Sequence, residues 1–261
     1  MGARRRRFGA AVAAALLVSA SGSACGAETA GLYQAYWAGL PAGDIRLVLR
    51  DDPTGYRDEI AIRSEGLAWL FTKFRGTATA EGRLAADRPP SPSHYEAHYD
   101  LRKAHGKRQT MRFVSRASAM FADRGPDDTS QRPQLAEEFR KNVVDPLSAL
   151  TAIRHELRRG NRGSFTVPVY DGARRFDVIA RVLPSKSNNE RVLHLRLTLS
   201  PIAGFKGETS EDGDPDDPPR KVEFSVDEAR MVPLSITVPV FALPLVVQFQ
   251  RLCAAPDPCI E

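Results

Sequence analysis

Leu193-His194-Leu195-Arg196-Leu197-Thr198-Leu199 places a leucine at every second position, with His, Arg and Thr between them. Successive side chains of a strand point to opposite faces, so this segment has one apolar side and one polar side. On a helix the same leucines would be scattered around the circumference. The period extends outward in both directions. Ile45, Leu47 and Leu49 alternate with Asp44, Arg46 and Arg50, and Ile60 and Ile62 alternate with Glu59 and Arg63. Phe176, Val178, Ala180 and Val182 share a face; so do Val222, Phe224 and Val226, and Leu234, Ile236 and Val238. A slip of one residue would turn each of these sets into water, so the register is well specified. One dry face and one wet face indicate an antiparallel sheet. Asp52-Pro53-Thr54-Gly55 and Asp171-Gly172 lie between such runs and suit hairpin connections. The fold class is mainly β.

One helix stands out against the strands. Asp145 is a cap, Pro146 fits the first helical position, Leu147, Leu150, Ile153 and Leu157 form an apolar stripe, and Gly160 ends it. Shorter helical pieces are expected at Leu67–Phe71 and Gln134–Lys141, giving one or two helices to cover the sheet. Arg124–Pro133 reads as a loop, as does the acidic run 207–219. The acidic run lacks the Glu at position twelve and the flanking helices of an EF-hand, so it reads as solvated.

The chain opens with Arg4-Arg5-Arg6-Arg7, an apolar run from Phe8 to Ala20 and the small residues Ser21 to Ala24. A basic segment, a short apolar segment and a small-residue cleavage site make a secretory signal over 1–24, with cleavage between 24 and 27. The apolar run is shorter than the roughly 20 residues a bilayer span needs. The expected location is therefore periplasmic, with one β-rich domain over 30–261. The 261 residues carry a formal net charge of +5. Four of those charges leave with the signal, and about +1 remains. That removes the electrostatic case for a nucleic-acid partner.

Three cysteines are present. Cys253 and Cys259, in an oxidising compartment, read as a disulfide worth about 2.4 kcal/mol by chain entropy. The rival readings are a metal pair or free thiols. Cys25 follows Gly22-Ser23-Ala24 and resembles a degraded lipobox. Lipidation there would make the protein a lipid-anchored, membrane-peripheral one.

Several ordered segments resemble the bacterial envelope family known as domain of unknown function 3108. They are Tyr36-Trp37-Ala38-Gly39-Leu40-Pro41-Ala42-Gly43, Gly66-Leu67 with Trp69-Leu70-Phe71, and Asp145-Pro146-Leu147-Ser148-Ala149-Leu150. Tyr170-Asp171-Gly172 with Arg174-Arg175-Phe176-Asp177, Ala203-Gly204-Phe205, and Arg230-Met231-Val232-Pro233-Leu234 complete the set. The resemblance implies a periplasmic protein of unknown activity. It also implies a fold similar to lipoprotein carriers: a curved antiparallel sheet forming a half-barrel around a helical plug. No catalytic residue carries over.

Chemistry is sparse. No G-x-S-x-G elbow, H-E-x-x-H, P-loop or dinucleotide fingerprint occurs. No cofactor and no enzymatic activity are expected. His94, Glu96, His98 and Asp100 would share one face of a strand, opposite Tyr95, Ala97 and Tyr99. Residues two apart lie about 6.6 Å apart along a strand, wide for one ion, so no metal is expected. His155 reads as a solvated or helix-end histidine, and Asp171 and Asp177 with Arg174 and Arg175 as surface ion pairs. Trp37, Leu40, Trp69, Phe71, Leu147 and Leu150 are the candidates for lining an apolar groove between sheet and helix; Trp37 and Leu40 serve equally as core. The leading expectation is a lipid, acyl chain or lipoprotein segment held in that groove. The alternatives are a structural module binding envelope proteins, or an enzyme acting on cell wall or glycan.

Overall fold

The computed structural model describes residues 27–102, 104–114, 118–124, 135–185, 191–205, 221–240 and 243–253. The expected signal, Cys25, Cys259 and the acidic run all lie outside them. Thirteen strands form one antiparallel sheet. In chain order they are β1 (Ala27–Trp37), β2 (Leu40–Asp51), β3 (Gly55–Ser64), β4 (Arg75–Ala85), β5 (Arg88–Leu101), β6 (Ala104–Val114) and β7 (Ser118–Arg124). Then follow β8 (Ser164–Tyr170), β9 (Arg175–Val182), β10 (Val192–Ala203), β11 (Lys221–Asp227), β12 (Pro233–Val240) and β13 (Leu243–Leu252). Helix α1 (Gly66–Thr72) joins β3 to β4, and α2 (Pro146–Arg158) lies between β7 and β8.

The spatial order is β7-β6-β5-β4-β3-β2-β1-β13-β12-β11-β10-β9-β8. Two meanders thus meet where the first strand pairs with the last, Gly31 opposite Leu252 and Trp37 opposite Leu245. The two edges, β7 and β8, are adjacent in sequence and stand at opposite ends of the sheet. The connection between them carries α2 across the sheet's apolar face, where it packs on β4, β5 and β8. The sheet is open, as expected of a half-barrel. Val144, just before α2, bridges to Val169 on the open side of β8: its N–H donates to Pro168 O and its carbonyl accepts from Tyr170 N. A free strand edge is a template for unwanted pairing, and this segment occupies part of it.

The alternating residues fall on the inner face. Leu195, Leu197, Phe176, Val178, Ala180, Phe224 and Val226 form one core cluster with Ile153 and Leu157 of α2. Leu47, Leu49, Tyr33, Tyr56, Tyr95 and Met111 form a second with Leu147. Leu150 packs against both. The helix is therefore the wedge that lets two halves of one curved sheet bury their apolar faces, which is where most of the stabilisation resides.

Local chemistry explains the turns. Asp52 Oδ1 accepts from Thr54 N at 2.8 Å and Gly55 N at 2.6 Å, closing the β2–β3 hairpin. Asp171 does the same for β8–β9, accepting from Ala173 N and Arg174 N, with Gly172 at φ 92°. Of the short helical pieces, Leu67–Phe71 is α1; Gln134–Lys141 holds only a 3-10 turn, Glu137–Arg140. Its sequence lacks an apolar stripe to anchor a longer helix, and none of its residues is buried. The Cys253 N–H donates to Ala30 O at 2.8 Å, and Cys259, expected to pair with Cys253, lies outside the described residues.

Gly82 marks a bulge between β4 and β5. A Cβ there would lie 2.4 Å from Ser91 O and 2.7 Å from the Tyr56 ring. Gly82→Ala is expected to destabilise by about 1–3 kcal/mol through overpacking, measured as a shift in the urea midpoint. An unchanged midpoint would show that β5 yields there.

Candidate functional site

A cavity of about 730 Å³ opens between α2 and the seam formed by β5, β6 and β8. Its walls are Pro89, Pro90 and Pro92 of β5, Phe113 of β6, Val143 and Val144, Ala152 of α2, and Phe165, Val167 and Pro168 of β8. Arg88, Ser91, Asn142, Glu156 and Thr166 supply polar groups. The sequence builds this wall in a specific way. β5 pairs with β6 only from His94 onward, while residues 88–92 pair only with β4. Proline lacks a donor N–H and is tolerated where one side of a strand is unpaired. The three prolines thus sit where the sheet has opened, and all three line the cavity. Pro168 occupies an edge strand for the same reason. The volume lies within the range of small-molecule sites, and an apolar lining with few polar groups suits a hydrocarbon chain.

The residues expected to line a groove lie elsewhere. Leu147 is buried in the core and Leu150 is wedged between the two clusters. Trp37 and Leu40 are neither core nor pocket: they face each other at the β1–β2 turn and are 39% and 54% exposed. Trp69 belongs to a shallow pocket of about 440 Å³ with Arg63, Glu65 and Arg75, the Arg75 guanidinium lying 5.0 Å from its ring centre. The side chain of Phe71 lies outside the described residues. The helix stripe and the local motifs that marked these apolar groups carry no information on where a sheet opens.

A buried polar network runs along the opposite flank of α2. The Tyr56 hydroxyl meets Ser148 Oγ at 2.7 Å, and Ser148 Oγ donates to Asp145 Oδ2 at 2.5 Å. Asp145 also caps the helix, accepting from Leu147 N and Ser148 N at 3.0 and 2.8 Å. One turn on, Thr151 Oγ1 donates to Asp58 Oδ2. Arg154 follows, with Nε donating to Met231 O at 2.9 Å and Nη2 to Asp51 Oδ2 at 2.7 Å; Arg158 donates to the same oxygen at 2.6 Å. Burial raises the carboxyls of Asp58 and Asp145 to about 6 each, against the lowering effect of their hydrogen bonds. Burial also depresses the basicity of Arg154 and His155. His155 stands in the last turn of α2, as the helix-end reading expected, but it is buried rather than solvated and its Nε2 has no hydrogen-bond partner, because the helix turns this face into the sheet.

This network was legible in part. Tyr56, Asp58, Ile60 and Ile62 share a strand face, so an acid stands in an apolar row; Ser148 and Thr151 sit one turn apart beside the leucine stripe. Which acid would meet which hydroxyl depends on how the helix crosses the sheet.

On the outer face of β5, His98 Nε2 lies 2.9 Å from Glu96 Oε1 and His94 Nε2 lies 3.8 Å from Glu96 Oε2, while Tyr95 and Ala97 are buried on the other side. Among the described residues no group of three His, Cys, Asp or Glu is arranged to hold a metal ion. Arg174 and Arg175 pair with Asp171 and Asp177 at 2.9 and 2.6 Å. No described helix is long and apolar enough to cross a membrane.

A family model described as "Protein of unknown function (DUF3108)" matches residues 32–202. The resembling segments at 203–205 and 230–234 fall beyond it. No curated protein matches the chain. The crystal structure of a beta-barrel-like protein of the domain of unknown function DUF1849 from Brucella abortus is similar in fold, with a TM-score of 0.50 at 9% identity. The likeness covers 86% of this chain and 95% of that one, and it shows the fold alone.

Proposed function

We propose that this chain, which belongs to the DUF3108 family of proteins of unknown function, is an exported envelope protein that holds a hydrocarbon chain beside α2. The chain would come from a lipid, a fatty acid or the acyl group of a lipoprotein. The observation that carries this reading is the apolar cavity of about 730 Å³ at the proline-lined seam. Arg88 at its lining suits an anionic headgroup beside the apolar tail. The signal-like N-terminal segment and the expected Cys253–Cys259 pair suit an extracytoplasmic compartment. The reading asks for no chemical step: Asp58 and Asp145 are committed to Thr151 and to the helix cap.

The test is uptake of a fluorescent polyene fatty acid, with mass spectrometry of lipid extracted from protein purified from the periplasm. Ala152→Phe places a ring in the cavity from the helix side. It is expected to reduce uptake at least tenfold while leaving the circular dichroism spectrum unchanged. Absence of both extracted lipid and probe uptake in the wild type, or full uptake by Ala152→Phe, would overturn the proposal.

A second reading has its own support. The wedge of α2 fills much of the space between the two half-sheets, with Leu150 packed against both clusters. A filled interior suits a non-catalytic interaction module of envelope assemblies, and co-purification with such an assembly in lipid-free form would favour it.

A further inference from the structure

The exposed large apolar side chains are unevenly placed. Among the described residues there are eight, and six of them (Trp37, Leu40, Leu70, Leu101, Ile202 and Leu243) lie along the rim where β1 ends and β2 begins. Five of these stand on turns that touch one another. Ala38 N donates to Pro244 O at 3.3 Å, joining the β1–β2 turn to the start of β13. Glu65 N donates to Ala42 O at 2.8 Å, seating α1 against β2. Arg102 N donates to Thr72 O at 2.7 Å and Arg102 Nη1 to Leu70 O at 2.8 Å, joining the β5–β6 turn to α1.

The five are 37–58% exposed and stand on neighbouring turn tips along one rim of the sheet. Single exposed leucines need no explanation, but a row along consecutive turn tips does. Cations flank it: Lys73 and Arg75 after α1, and Arg102 on the next turn, all exposed. The acids nearby are Asp100, which accepts from Gly106 N at 2.7 Å, and Glu65, whose carboxyl is raised by burial and by the neighbouring Asp44.

We propose that this rim docks on an anionic lipid bilayer, with its apolar tips among the headgroups and Lys73, Arg75 and Arg102 at the phosphates. Tryptophan and leucine on tips beside basic side chains suit the membrane interface, where apolar area and attraction to anionic lipid add. The apolar groups stand on separate tips, and a fluid headgroup layer conforms to them. A folded partner would need a matching row of pits. The inference is independent of what the cavity holds.

The test is flotation of the chain from Cys25 onward, made without lipidation, on phosphatidylglycerol-containing and on pure phosphatidylcholine vesicles at low and high salt. Binding to the anionic vesicles, weakened by salt, is expected. Leu70→Glu with Leu243→Glu changes only exposed positions and is expected to reduce that binding at least tenfold with unchanged thermal unfolding. Lys73→Glu with Arg102→Glu is expected to abolish the preference for anionic lipid. Failure of the wild type to bind either vesicle, or equal binding by the leucine variant, would overturn the proposal. So would capture of the rim by a protein in place of vesicles.

Discussion

Arg154→Met is expected to lower the unfolding free energy by about 3–5 kcal/mol, read from urea unfolding at neutral pH. Arg154 is 2% exposed, yet it carries a charge through the centre of the molecule. Its Nε bonds the carbonyl of Met231 in the β11–β12 turn, and its Nη2 bonds Asp51 at the end of β2. One side chain on the wedge helix thereby ties together the two meanders. Methionine fills similar volume and keeps the helix propensity, so packing is nearly preserved. What is lost is the donor to Met231 O and one of the two cations facing Asp51, a carboxylate 12% exposed. Removing Arg154 leaves the buried Met231 carbonyl without its donor and Asp51 with Arg158 alone. Arg154→Lys is expected to recover only part of the loss, because an ammonium cannot donate to both sites in the geometry of the guanidinium fork. A loss below about 1 kcal/mol for Arg154→Met would place this pair with ordinary surface ion pairs.

Asp58→Asn is expected to have the opposite sign, stabilising the fold by about 2–3 kcal/mol at pH 7 and by almost nothing at pH 4. Burial raises the Asp58 carboxyl from 3.8 to about 6. The folded chain therefore holds this proton more tightly than the unfolded chain. Its contribution to stability is fully present below 3.8 and is lost as pH rises through about 6. Asparagine retains an acceptor for Thr151 and never ionises, so it avoids that loss. Asp145, also raised to about 6, acts in the same direction, while the depressed His155 acts in the other. The informative quantity is thus the difference between wild type and Asp58→Asn across pH 4 to 8. A difference that does not change over this range would refute the raised, buried Asp58 carboxyl. The two substitutions address one network from its two sides: Arg154 lowers the Asp58 carboxyl by its charge, and the network persists because the cation and the acid share a flank of α2.

Much of this fold was legible in the residues. The alternating rows of β2, β9, β10 and β11 appear with their leucines, valines and phenylalanines on the inner face. The α2 cap at Asp145 and the turns at Asp52 and Asp171 appear with the expected bonds. The candidate site was not legible. Trp37 and Leu40 were expected to be shielded from water, and they stand on an exposed turn. The cavity instead uses three prolines of β5 that periodicity passes over, because they break alternation. Their meaning depends on the stretch of β5 before His94 having no β6 partner.

Period, turn chemistry and capping are local properties. They act within a few residues, so the sequence by itself determined β2, β3, β9, β10, β11 and β12, the turns at Asp52 and Asp171, and the helix with its ends. Closure is a property of the whole chain. That β1 pairs with β13, that α2 crosses between the edges β7 and β8, and that Asp58 meets Thr151 while Arg154 reaches Met231 were decided only in the tertiary structure. The bonds from Thr151 to Asp58 and from Arg154 to Met231 join residues 93 and 77 positions apart, and their energies arise from burial that no local segment can supply alone.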